Sequence, residues 1–144
     1  MPTPEELKLF LEDTIKNPKY IAHDGLTFCN HFVQDVFSHF GYQDFKGLTA
    51  NQIFDYCEKS ENFKEWQPLE CAHLVARHGI LCVAAIKGNP HGHVAIVFPG
   101  IPVLSKKWGQ EVPLVVSTGK QNGIKGANWF FGDIPTFFMM EEKE

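Results

Sequence analysis

Residues 80 to 98 read Ile80-Leu81-Cys82-Val83-Ala84-Ala85-Ile86-Lys87-Gly88-Asn89-Pro90-His91-Gly92-His93-Val94-Ala95-Ile96-Val97-Phe98. Ile80 to Ile86 is a continuous apolar run of strand length, the pattern of a strand covered on both faces. Lys87 to Gly92 carries turn chemistry in Gly88, Asn89, Pro90 and Gly92. From His93 to Phe98 the chain is apolar again, so the whole stretch predicts a β-hairpin. Strand alternation puts Val94, Ile96 and Phe98 on one face and His93, Ala95 and Val97 on the other. His93 then stands at a sheet rim, on a rigid element and within reach of solvent.

Upstream of the hairpin the apolar period is helical. Residues 4 to 16 predict a first helix, with Pro4 at its start, Glu5 and Glu6 at its positive end, and Leu7, Phe10, Leu11, Thr14 and Ile15 along one face. A second helix is expected over roughly 27 to 40, with Thr27 as candidate N-cap and Gly41 closing it. Cys29, Phe32, Val33, Val36, Phe37 and Phe40 form its stripe. A third runs from Thr49 to about Lys59 with Ile53, Phe54 and Cys57 inward, and a fourth from Leu69 to Arg77 ends at His78-Gly79. Downstream, residues 112 to 118 predict a third strand and 134 to 140 a short fourth. Helices first and antiparallel strands later define an α+β fold, N-terminal helices packed on an antiparallel sheet. Neither a repeat nor a linker divides residues 1–144, which read as one domain. The acidic end, Glu141 to Glu144, reads as a solvated tail.

Composition narrows the function classes. The chain has 144 residues, 44% of them hydrophobic, with 13 Phe and 3 Trp, enough to build a core and too many aromatics for a disordered chain. A net charge of -4 with scattered basic residues argues against a nucleic-acid partner. No run approaches the length of a membrane helix, so no membrane partner is expected. Met1 to Glu6 lacks a basic region or cleavage site, so synthesis in the cytoplasm without a cleaved signal peptide is expected. The four cysteines, Cys29, Cys57, Cys71 and Cys82, form no CxxC and read as thiols. His91-Gly92-His93 and the set Cys71, His73, His78 and Cys82 match no recognised zinc spacing, so neither a metal nor another cofactor is expected.

Cys29 falls in the first turn of the second helix, where the dipole and free N–H groups lower a thiol pKa. A cysteine nucleophile also needs a base, and strand-start His93 is the candidate if the helix packs on the sheet. The same apolar stripe also suits a structural cysteine, and a rim histidine can be only that.

The segments Asp24-Gly25-Leu26-Thr27-Phe28-Cys29-Asn30-His31-Phe32-Val33 and Gly92-His93-Val94-Ala95-Ile96-Val97 resemble the NlpC-type and CHAP cysteine peptidases of the papain-like superfamily. Thr49-Ala50-Asn51-Gln52, Lys107-Trp108-Gly109 and Gly126-Ala127-Asn128-Trp129 extend the likeness to small endolysins and secreted amidases, over roughly residues 20 to 131. The resemblance implies a papain-like fold and hydrolysis of peptide or amide bonds in bacterial peptidoglycan, with Cys29 as nucleophile and His93 as base. It implies a third polar group on the strand after the histidine strand, where Ser117 aligns, with Asn128 as the alternative. Tyr20 and Asn30 are candidates for oxyanion or substrate contacts. A phage lysin, or an effector carried to the wall or periplasm by a secretion machine and opposed by an immunity protein, fits this reading. A protein deamidase or transpeptidase and a non-catalytic peptide-binding module on the same fold are the other classes.

Overall fold

The computed structural model describes residues 1–141. Of the acidic tail, residues 142–144 lie outside the described residues. The helices are α1 (Pro4–Thr14), α2 (Cys29–His39), α3 (Ala50–Lys59) and α4 (Pro68–His78). The strands are β1 (Phe63–Trp66), β2 (Cys82–Ile86), β3 (His93–Val97), β4 (Val103–Ser105), β5 (Gln110–Val112), β6 (Leu114–Ser117), β7 (Gly123–Gly126) and β8 (Thr136–Met140). Mixed helix and antiparallel sheet make this an α+β fold. Among the described residues no helix is long and apolar enough to cross a membrane.

Local chemistry sets the helix ends. Thr3 caps α1: its hydroxyl accepts the Glu6 N–H at 3.1 Å and the Glu6 carboxylate accepts the Thr3 N–H at 3.2 Å. Thr49 and Gln52 repeat this reciprocal arrangement at α3. Gly79 ends α4 in the left-handed region, with φ of 70°. A Cβ there would collide with the Pro2 carbonyl, so the chain start packs where only glycine fits. Helix α2 departs from expectation. It begins at Cys29 with Phe28 at the capping position, and no side chain caps it. Thr27 is therefore not its N-cap.

The main sheet has six strands in the order β1-β8-β2-β3-β6-β7, and β4 pairs with β5 in a separate ladder. The hairpin of β2 and β3 forms as expected, with Val83 opposite Ile96 and Ile86 opposite His93. The strand expected over 112 to 118 is divided at Pro113, which has no N–H for a ladder: β5 ends at Val112 and β6 starts at Leu114. Strands β1, β4 and β7 lie outside the expected set, as do Gln110 and Glu111 of β5. Strand β8 lies between β1 and β2, with Phe138 facing Glu65 on one side and Val83 on the other.

The core sits where the helices meet this sheet. Phe37 of α2 packs on Phe45 at 4.7 Å between ring centres, and Phe45 stacks on Phe63 of β1 at 5.4 Å. Phe54 of α3 meets Phe138 of β8 edge-on at 5.2 Å. Central strand residues Ala84 and Ala95 are directly paired and fully buried.

Replacing Gly79 by alanine adds left-handed strain and the backbone clash together. Gly79→Ala is expected to cost about 2 kcal/mol or more, read as a lower urea midpoint at unchanged slope.

Candidate active site

Cys29 is the first helical residue of α2 and is 6% exposed. Without a side-chain cap, N–H groups of the first turn remain free. The backbone N–H groups of Val94, Asn30 and Cys29 itself are directed at the thiol. These favour the thiolate, but burial outweighs them and pushes the thiol pKa up from its ordinary value. The lowered pKa expected from the helix start is thus reversed, because the sulfur loses more hydration than three N–H dipoles replace. Val94 follows His93 in the chain, so one of the N–H groups that favour the thiolate comes from the start of β3.

His93 is placed by register. Val97 pairs with Val115, and continuing that ladder sets Ala95 opposite Ser117 and His93 opposite Gly119. The imidazole leans diagonally onto β6, with Nε2 and Ser117 Oγ 2.6 Å apart in a hydrogen bond. Gly119 leaves room for the ring: a Cβ there would stand 3.3 Å from His93 Cε1. Phe131 meets the imidazole edge-on at 5.0 Å. Burial disfavours the imidazolium and lowers the His93 pKa to about 4. At neutral pH both the thiol and the imidazole are therefore uncharged. Among the described residues no hydrogen bond joins Cys29 Sγ to the imidazole.

Two asparagines hold the segments that carry these groups. Asn51, in the first turn of α3, accepts the Gly88 N–H at 3.1 Å and donates to the Gly88 carbonyl at 2.9 Å. It thereby pins the hairpin turn ahead of His93. Asn122 accepts the Gly119 N–H at 2.9 Å and donates to the Tyr20 carbonyl at 2.9 Å, tying the turn after β6 to the segment before α2. Sequence reading singled out neither for this role. Asn122-Gly123 is turn chemistry, but its reach back to Tyr20 is a tertiary fact.

The other expected residues divide. Ser117, fully buried, is the residue brought to His93. Asn128 is not: it sits in the short 3-10 helix Ala127–Trp129, with its side-chain oxygen buried and without a hydrogen-bond partner among the described residues. Tyr20 does not offer a free donor, because its one hydroxyl proton goes to Asp35 and its ring packs edge-on against Phe32. Asp35 lies six residues along α2 from Cys29, about 9 Å down the axis. Asn30 turns its side-chain amide to the Leu48 carbonyl at 3.1 Å, so its backbone N–H, not its side chain, faces the thiol. Thr27 lines a cavity of about 460 Å³ shared with His93, Gly119, Lys120, Trp129 and Phe130. Among the described residues no group of three His, Cys, Asp or Glu side chains is placed to hold a metal ion.

The chain matches no family model, and no curated protein matches it.

The lowered His93 pKa makes stability pH-dependent. Between its ordinary value near 6.5 and about 4, the unfolded chain binds a proton that the folded chain refuses. Stability from this group is intact above 6.5 and falls as the pH drops through that window, by up to about 3 kcal/mol. In His93→Gln, urea unfolding from pH 7 to 4 is expected to show a correspondingly shallower loss.

Proposed function

We propose that this chain is a cysteine hydrolase of papain-like architecture that cleaves amide bonds, with Cys29 as nucleophile and His93 as proton carrier. The observation that carries this reading is the His93 Nε2–Ser117 Oγ contact at 2.6 Å. With Nε2–H donated to Ser117, the other ring nitrogen, Nδ1, keeps its lone pair as a base. The helix-start cysteine and the strand-start histidine after Gly92 agree with the family resemblance; Ser117 departs from it, since the family carries His, Asn, Gln, Asp or Glu at that position.

The resting pair is neutral, so the proton moves as the carbon–sulfur bond forms. Cys29 Sγ attacks the amide carbonyl while Nδ1 of His93 takes the thiol proton. The Cys29 backbone N–H stabilises the oxyanion. The tetrahedral intermediate then collapses, the C–N bond breaks and His93 protonates the leaving amine. Water, deprotonated by His93, attacks the thioester; the acid product leaves and the thiol regains its proton. Ser117 holds the ring in one tautomer, a weaker version of the task that a carboxylate or amide performs elsewhere.

The substrate class follows from resemblance: stem-peptide or amide bonds of bacterial peptidoglycan, reached by a phage lysin or a delivered effector. An immunity protein covering the Cys29 cleft belongs to the effector version. A second reading, a non-catalytic module that binds peptide in the same cleft, is favoured by the raised thiol pKa and the missing Cys29–His93 hydrogen bond.

Purified peptidoglycan digested with the protein, and scored by mass spectrometry for new amino termini, separates the two. Cys29→Ala is expected to abolish product at unchanged circular dichroism; full activity in that variant would overturn the assignment. Ser117→Ala is expected to lower kcat about tenfold, the factor one lost hydrogen bond contributes. The acid limb of kcat/KM is expected near pH 4, where His93 titrates, not near 6.5.

A further inference from the structure

The cavity beside His93 has a chemical character of its own. Its wall includes Lys120, Gln121 and Thr27 among polar groups and Trp129 and Phe130 among aromatic ones, and among the described residues no acidic side chain lines it. This occurs in a chain of net charge -4, where an average stretch of surface favours cations. Trp129 is 63% exposed, an unusual state for an indole. Lys125 stands over its ring, 4.6 Å from the centre, and adds a second ammonium near the same wall. Lys120 forms no ion pair among the described residues. Aromatic walls lower the local dielectric and focus the field of a cation at the cavity mouth.

We propose that this cavity is a specificity subsite for a substrate carrying a carboxylate, with Lys120 supplying the counter-charge and the exposed ring of Trp129 an apolar floor beside it. The proposal rests on the reading of Cys29 and His93 as the reacting pair, because the cavity shares His93 with that pair. Lys120 selects here; it performs no bond-making step. A neutral amide at the same substrate position gains no ion pair and binds more weakly.

Two thiol reagents of nearly equal size and opposite suitability test this without any substrate. Iodoacetate carries a carboxylate and iodoacetamide does not; each alkylates Cys29 with loss of iodide and of the thiol proton. The rate ratio of iodoacetate to iodoacetamide at Cys29, located by peptide mass spectrometry, is compared with the ratio for 2-mercaptoethanol at the same alkaline pH. The ratio is expected to be roughly threefold higher at Cys29, the factor one screened surface charge supplies, and to shrink as salt is added. Lys120→Gln is expected to remove the preference, and Lys120→Arg to keep it. A preference no higher than that of the free thiol, or one unchanged in Lys120→Gln, would overturn the subsite while leaving Cys29 as an accessible nucleophile. Failure of both reagents to modify Cys29 would overturn the underlying reading and the subsite with it.

Discussion

Strand β3 is hydrogen-bonded on both sides, to β2 through pairs such as Val83–Ile96 and to β6 through Val97–Val115. The β2 ladder reaches the start of the strand at Ile86–His93 and the β6 ladder holds its end at Ile96 and Val97, so the strand is fixed with the imidazole leaning on Ser117. Because a one-residue slip in a strand turns each side chain to the opposite face, the register with β6 decides whether Ser117 or a neighbour meets the ring. The buried pair Ala84–Ala95 and the small Gly119 leave the surrounding space to larger groups.

The same burial that makes the geometry rigid sets the protonation states. Desolvation pushes the thiol up and the imidazole down, away from an ion pair. A nucleophile and base arranged in this way share no resting charge, and the proton transfer is coupled to attack. Asn51 and Asn122 supply what the weak side-chain orienter lacks, by holding the backbone on both sides of the ring.

The fold was legible where local chemistry and period agreed. The Ile80–Phe98 hairpin announced itself by two apolar runs around a turn, and Thr49 marks the start of the third helix as expected. Thr27 failed because the helix starts at Cys29, one residue later than a Thr27 cap requires, which puts Phe28 in the capping position. Strand β7, Gly123-Ile124-Lys125-Gly126, has two glycines and little strand propensity; its pairing with β6 makes it a strand. Strand β1 is equally short, with Lys64 and Glu65 exposed at the sheet edge. At the candidate site Cys29 and His93 could be read from their places at a helix start and a strand start, and Ser117 only through the family resemblance; that β6 lies beside β3 is a fact of the fold. The rise in the thiol pKa could not, because it depends on how much water the fold removes from one sulfur atom.

The position of β8 has a consequence for the order of events during synthesis. It lies between β1 and β2, although it leaves the ribosome after both. Until Thr136 to Met140 emerge, β1 has no partner in this sheet and β2 is open along one edge. A nascent chain therefore cannot close the scaffold behind His93 while it is still being translated past that point. In that interval β1 is unpaired in this sheet, while β2 has β3 on one side and an open edge on the other.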